Sequence, residues 1–215
     1  MSTTITSPVN VPAASLPNTK SAGMSGGMVS AKTDRASRSG IWVGLFAITM
    51  SFAAFTSALF VREGTSDWSH LALPSLLYLN TLVLLASSGA FELSRRALEM
   101  GSVLENYGAR RGTFWLLATL ALGLAFCAGQ YLVWGQLRAQ GIYLASNPNS
   151  SFFYVLTFIH ALHVMGGILA LVYLIGRLMA SRATFRRNLF ENTAIYWHFM
   201  GLLWVYLLLL CRLKL

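Results

Sequence analysis

Three of the four histidines in this 215-residue chain lie inside long apolar stretches. An imidazole at such depth can ligate a haem or a metal, carry a proton, or hydrogen-bond to a neighbouring helix. His160 and His163 are three residues apart, which places both on one face of a helix. Gly166 and Gly167 follow and would permit close approach of another helix, while His198 lies nearer the C-terminus.

A haem held by two of these histidines is one interpretation. It conflicts with their depths, since His160 and His163 lie about 13–18 Å below one membrane surface and His198 lies about 8 Å from the other. A metal would need further ligands at a matching spacing. Cys127 and Cys211 lie in apolar stretches without a CxxC pattern. Hydrogen bonding between helices or to lipid is favoured, and neither a metal site nor a catalytic residue is predicted.

A carboxylate and two arginines form a second polar group. Glu92 precedes Arg95 and Arg96 by three and four residues, the spacing of ion pairs along one helix. The alternative is a carboxylate that handles protons or contacts lipid.

Aromatic residues follow Glu191 in the last apolar stretch, namely Tyr196, Trp197 and Trp204. Such residues pack helices together or form a belt at the membrane surface. Both roles are favoured over stacking on a cofactor.

The elements that carry these residues are predicted to be membrane-spanning helices. Hydrophobic residues make up 55% of the chain and charged residues 11%, whereas soluble proteins have roughly 25% charged residues. About 20 apolar residues cross a bilayer as a helix. Five stretches qualify, approximately Ile41–Val61, Leu71–Leu93, Thr113–Gly135, Ser151–Ile175 and Thr193–Cys211. They are continuously apolar rather than alternating, which predicts an all-α, polytopic membrane helix bundle over residues 40-215.

The distribution of basic residues predicts the topology. They cluster before the first apolar stretch, after the second and after the fourth. The opposite loops hold only Arg62 and Arg138, with Arg212 and Lys214 at the C-terminus. The positive-inside rule therefore predicts a cytoplasmic N-terminus and a periplasmic C-terminus. Residues 1-39, rich in Ser, Thr, Gly, Pro and Ala, are predicted to form a disordered cytoplasmic tail. The basic residues share no single face, so the net charge of +9 does not indicate a nucleic-acid partner.

Three motifs, in order, resemble subunit III of the haem–copper cytochrome c oxidases. The stretch Leu79–Ser88, which contains Asn80, resembles the fourth helix of that family. Phe158–Gly167 is similar to its F-H-x-x-H-V-x-x-G helix, and Phe190–Phe199, with Trp204 beyond it, to its last helix, F-E-x-x-A-x-Y-W-H-F. The resemblance covers the chain from residue 40 to the end.

The resemblance implies the short, five-helix bacterial form of subunit III, in the inner membrane and in the aerobic respiratory chain. In that family subunit III is a non-redox subunit with no catalytic centre of its own, and haem and copper lie in partner subunits. It packs mainly against subunit I, beside subunit II. It is implied to stabilise subunit I, to bind phospholipid, and to support oxygen and proton access during cytochrome c oxidation and oxygen reduction.

Individual residues carry over only where they match the motifs. Structural or motif roles are implied for Asn80, His160, His163, Glu191, Tyr196, Trp197, His198 and Trp204. Phospholipid headgroups are a hypothesis for Arg95, Arg96 and Arg187, because basic pockets on the cytoplasmic side bind anionic lipid. The lipid is expected in a cleft between the first two helices and the last three.

Two positions depart from the family pattern. Where the family has a Ser-Glu pair, this chain reads Thr49-Met50, and an aspartate that often follows the Y-W-H-F motif is replaced by Gly201. Structural and lipid roles are therefore better supported than a proton-buffering role.

Several alternative functions are also compatible with the sequence. A nitric oxide reductase accessory subunit of the same fold shares this pattern, and a quinol-oxidising complex lies within the same superfamily. A haem b membrane anchor would use His160 or His163 with His198. A small transporter is disfavoured because no apolar stretch is broken at mid-depth by proline.

Overall fold

The structure, a computed structural model, describes residues 19–63, 74–100, 105–144, 148–180 and 187–214. In this part of the chain all regular structure is helical. The helices are α1 (Thr19–Glu63), α2 (Leu76–Met100), α3 (Glu105–Ala139), α4 (Pro148–Ala180) and α5 (Arg187–Lys214). The predicted all-α class is confirmed.

Each helix contains a segment long and apolar enough to cross a membrane. These segments are Arg38–Arg62, Leu76–Glu99, Arg110–Ala139, Asn149–Ala180 and Asn188–Lys214. Most extend beyond the predicted stretches because a helix continues while its basic ends reach toward the headgroups. The second begins at Leu76 rather than at Leu71, after a turn in which the Leu77 amide donates to the Pro74 carbonyl at 3.1 Å. Residues 71–73 of the predicted stretch lie outside the described part of the chain.

The chain divides into two compact units, Met1–Ser37 and Arg38–Leu215. Helix α1 begins at Thr19, inside the segment that composition assigns to a disordered tail. Adding a residue to an existing helix costs far less free energy than nucleating a new helix. This difference is a physical reason for the helical conformation of residues 19–39. The disordered tail over residues 1-39 stays a prediction, and residues 1–18 of it lie outside the described part of the chain.

Helices α2 and α3 form the most closely packed pair. The Ser94 hydroxyl donates to the Gly112 carbonyl at 2.9 Å, and the Ser87 hydroxyl donates to the Thr119 carbonyl at 3.1 Å. The two contacts are seven residues apart on both helices, the repeat of supercoiled pairs. Short side chains at this repeat let the two backbones approach closely.

Helix α5 packs against α2 and α4, and α3 packs against α4. The expected division between the first two helices and the last three is therefore wrong. Small residues close the boundary between α2 and α3, so α2 belongs to the same packed group as α3, α4 and α5.

Helix α1 stands further from its neighbours and reaches them through side chains. The hydroxyls of Thr56 and Tyr206 lie 2.8 Å apart, and the Arg38 guanidinium pairs with the Glu191 carboxylate at 3.2 Å. Both contacts join α1 to α5. From the Arg38–Glu191 contact to the Thr56–Tyr206 contact, the residue number increases on both helices. The two helices therefore run parallel, as an alternating five-helix path requires.

Candidate functional site: the aromatic and hydroxyl core

Trp197 of α5 lies where four helices meet and is 1% exposed. Its Nε1 donates to the Ser87 hydroxyl of α2 at 3.2 Å. A Cβ added at Gly123 of α3 would lie 2.8 Å from the indole Cη2, and one added at Gly167 of α4 would lie 3.1 Å from its Cε3. Glycine at both positions allows α3 and α4 to close on the ring. Trp197 thus connects α5 to the three other helices of the packed group.

Trp204 forms a second layer seven residues further along α5. Its Nε1 donates to the Thr81 hydroxyl at 2.9 Å. Its ring lies edge-on to Phe126 of α3, with ring centroids 4.9 Å apart. The centroid of the His160 imidazole lies 5.1 Å from that of Trp204. Trp204 and Trp197 are both 1% exposed. The prediction of a membrane-surface belt is therefore wrong for these two residues, and both pack between helices.

The partners of the two indoles were not predicted from the sequence. Ser87 and Thr81 each accept an indole N–H and donate to a backbone carbonyl, for Thr81 that of Leu77 at 2.8 Å. Each hydroxyl is therefore used as both donor and acceptor. The available signal was the seven-residue spacing of polar side chains at Asn80, Ser87 and Ser94 in an otherwise apolar stretch.

Asn80 lies in the same α2–α3 seam and is 3% exposed. Its Nδ2 donates to the Gln130 side-chain oxygen at 3.4 Å. A Cβ at Gly129 would lie well inside contact distance of the Asn80 Oδ1. Asn80 is therefore a packing and hydrogen-bonding residue. Its buried polar partner, Gln130, is not predicted from the sequence.

His160 and His163 face different neighbours despite their three-residue spacing. His160 is fully buried against α3 and α5, whereas the half-buried ring of His163 lies 6.0 Å from that of Phe52 on α1. Positions three apart differ by about 60° around a helix. The His163 Nδ1 lies 2.8 Å from the Ile159 carbonyl oxygen, and the Tyr196 hydroxyl donates to the His163 carbonyl at 2.8 Å.

The three candidate histidines do not share a centre. The His198 ring is edge-on to Phe91 of α2, with centroids 6.0 Å apart, while His160 and His163 contact other residues. In the described ranges no group of three or more His, Cys, Asp or Glu side chains is placed to hold a metal ion. Both ring nitrogens of His160 lack a hydrogen-bond partner among the described residues.

A charged group lies at the end of α2. Glu92 accepts from the Arg95 Nε and Nη2 at 2.8 and 2.7 Å, and from the Arg96 Nε at 3.2 Å. The Arg95 Nη1 donates to Glu99 at 3.2 Å. Two parallel bonds from one guanidinium to one carboxylate are the strong form of this pair. The structure thus contains the ion pairs that the spacing of these residues indicates.

Two further members of the predicted set lie at the start of α5. Glu191 pairs with Arg38 of α1, so it joins two helices rather than residues of one helix. The side chain of Arg187 lies outside the described part of the chain.

The structure describes the surroundings of the two positions that depart from the family motifs, Thr49-Met50 and Gly201. Met50 is 53% exposed on α1, and the hydroxyls of Thr49 and Ser51 donate to carbonyls four residues earlier in their own helix. A Cβ at Gly201 would lie 3.1 Å from the Ser88 hydroxyl. An aspartate at position 201 would therefore require Ser88 to move.

Five apolar helices around this core define a polytopic membrane protein of the helix-bundle class. The family described as Cytochrome c oxidase subunit III matches residues 32–213. The chain belongs to the cytochrome c oxidase subunit III family, and the resemblance stated from its motifs is confirmed.

Individual relatives agree with this family. The chain is 33% identical to a probable cytochrome c oxidase subunit 3 of Nocardia farcinica over 165 residues, 76% of each chain. It is 31% identical to a cytochrome c oxidase subunit 3 of Corynebacterium diphtheriae over 169 residues, again 76% of each. Identity to a cytochrome c oxidase subunit 3 of Synechocystis is 30% over 174 residues, which cover 80% of this chain and 69% of the relative.

Proposed function

We propose that this chain is a non-redox subunit III of a bacterial haem–copper terminal oxidase. The observation that carries the proposal, beside family membership, is the use of the motif residues. Trp197 and Trp204 hold α5 against α2 through bonds to Ser87 and Thr81, and the ring of His160 packs on Trp204. Residues engaged in this way support a structural role.

The proposed role places the chemistry in partner subunits. Subunit I, the main contact, and subunit II would hold the haem and copper and perform cytochrome c oxidation and oxygen reduction. This chain would stabilise subunit I and support oxygen and proton access. We further propose the bacterial inner membrane as its location, with a cytoplasmic N-terminus and a periplasmic C-terminus, because the basic residues are distributed that way.

Purification of the tagged full-length chain in mild detergent tests this proposal. We expect mass spectrometry to identify an oxidase subunit I and subunit II in the same complex. The chain freed of its partners should give no reduced-minus-oxidised haem spectrum. Recovery with nitric oxide reductase subunits would contradict the proposal and favour an accessory subunit of that enzyme. A haem b spectrum from the isolated chain would contradict it and favour a haem b membrane anchor.

Phospholipid binding at the end of α2 is part of the proposal. Arg95 commits three nitrogens to Glu92 and Glu99, whereas Arg96 commits only its Nε among the described residues. Arg96 therefore has more donors available for a lipid phosphate than Arg95 has. Arg187, at the start of α5, remains a further candidate because of its position in the sequence.

Opposite changes in this group should have opposite effects on bound anionic lipid. Arg96→Gln removes a cation worth about 1 kcal/mol at a membrane surface and should lower retention of phosphatidylglycerol about fivefold. Glu92→Gln releases both arginines from a competing carboxylate and should raise retention. Native mass spectrometry of the full-length chain measures both. Unchanged lipid in both variants would remove the headgroup role.

A further inference from the structure

A cavity of about 550 Å³ opens between the end of α3 and the start of α4. It lies at the membrane surface opposite the Arg-rich loops, because α3 ends and α4 begins there. Its walls include the rings of Trp134, Tyr154 and Phe158 and the side chain of Val155. Its volume is within the range of small-ligand pockets, roughly 300–1,000 Å³.

Hydrogen bonds hold the walls of this cavity in place. The Trp134 Nε1 donates to the Thr157 hydroxyl at 3.2 Å, and the Tyr154 hydroxyl donates to the Ile142 carbonyl at 2.9 Å. The polar atoms of both rings are therefore already bonded to protein. The cavity is correspondingly apolar along most of its lining.

The turn after α3 gives the cavity its remaining wall. Gly141 has a φ of 77°, and its amide donates to the Arg138 carbonyl at 3.0 Å. The Ile142 amide donates to the Leu137 carbonyl at 3.0 Å, which completes the Schellman pattern of a helix end. The reversed chain then adds Leu144 to the lining. The cavity is thus built by a defined helix end and not by a loop alone.

Arg138 is the charged residue of the lining. Among the described residues, no carboxylate forms an ion pair with it. A single cation beside an aromatic, apolar cavity at a membrane surface matches the two parts of an anionic phospholipid. The phosphate would meet Arg138, and an acyl chain would lie over Trp134 and Phe158.

We propose that this cavity binds one anionic phospholipid of the leaflet opposite the Arg-rich loops. The site is distinct from the charged end of α2 and does not depend on the proposed oxidase role. The positive charge of Arg138 favours a headgroup with net negative charge over one whose phosphate is balanced by its own ammonium group, and the apolar walls provide affinity for the acyl chain.

The full-length chain in detergent, titrated with phosphatidylglycerol or phosphatidylcholine and followed by native mass spectrometry, tests the proposal. Arg138→Gln should weaken phosphatidylglycerol binding about fivefold and phosphatidylcholine binding clearly less, because the choline ammonium offsets the phosphate charge. Arg138→Lys keeps the charge and should retain most of the binding. Val155→Trp fills the cavity and should weaken both lipids. Arg212→Gln is the control, since Arg212 is an exposed basic residue near the end of α5, outside the cavity.

Each outcome bears on the site. Selective loss in Arg138→Gln together with loss of both lipids in Val155→Trp supports it. Equal losses in Arg138→Gln and Arg212→Gln would mean general attraction to a basic surface and would overturn it. Unchanged binding in both cavity variants would overturn it as well.

Discussion

We expect Trp197→Ala to lower the free energy of unfolding of the helix bundle by about 3 kcal/mol, the lower end of the range for truncating a buried tryptophan. The lower end applies because lipid tails already offer an apolar environment, which leaves lost contacts and the cavity as the main cost. The variant removes the indole that touches Ser87, Gly123 and Gly167. Denaturation of the purified chain in mixed detergent micelles measures the change.

Two variants make this prediction specific. Trp42→Ala removes the same side chain from α1, where Trp42 is 62% exposed, and should cost less than about 0.5 kcal/mol. Trp197→Phe keeps an aromatic ring but loses the bond to Ser87, and should cost about 1–2 kcal/mol. Similar losses for Trp197→Ala and Trp42→Ala would show that the four-helix contact does not hold the bundle together.

The membrane spans could be predicted because their signal is simple. A bilayer fixes the length of an apolar helix, and five stretches met that length. The second helix begins at Leu76, directly after a turn at Pro74 and Ser75. The motifs around His163 and Trp197 were also sufficient to indicate the family, because their order and spacing are specific.

The faces of the helices could not be predicted in the same way. A helix that is apolar all round has no amphipathic pattern to separate the packed side from the lipid side. From the sequence alone, His160 and His163 fall on one helix face, Trp197 fits a membrane-surface belt as well as packing, and α2 is grouped with α1. In each case the neighbour is selected by contacts between residues far apart in the chain, such as Trp197 with Ser87.

Small polar residues and glycines carry the information that hydropathy lacks. Ser87 and Ser94 repeat at seven residues and mark the side of α2 that meets α3. Gly123 and Gly135 look alike in the sequence, yet an added Cβ would meet Trp197 at the first and nothing within 4 Å at the second. This contrast provides the second large expected effect.

Gly123→Ala should destabilise the bundle by about 1–3 kcal/mol, the usual cost of overpacking. The new Cβ would lie 2.8 Å from the indole Cη2 of Trp197, and this rigid ring is held by its bond to Ser87. Gly135→Ala in the same helix has open space and should stabilise α3 by up to about 1 kcal/mol, because alanine is the better helix former. The same detergent denaturation measures both, and equal effects at the two positions would contradict close packing at Gly123.

A double-mutant cycle separates this contact from any change within α3 itself. The atoms nearest the added Cβ, Cη2 and Cζ2, belong to the outer ring of the indole, and phenylalanine is too short to reach as far. Gly123→Ala should therefore cost clearly less in a Trp197→Phe background than in the wild type, with a coupling of about 1 kcal/mol or more. Purely additive effects would mean that the destabilisation arises elsewhere. A coupling of that size would assign it to the contact between Gly123 on α3 and Trp197 on α5.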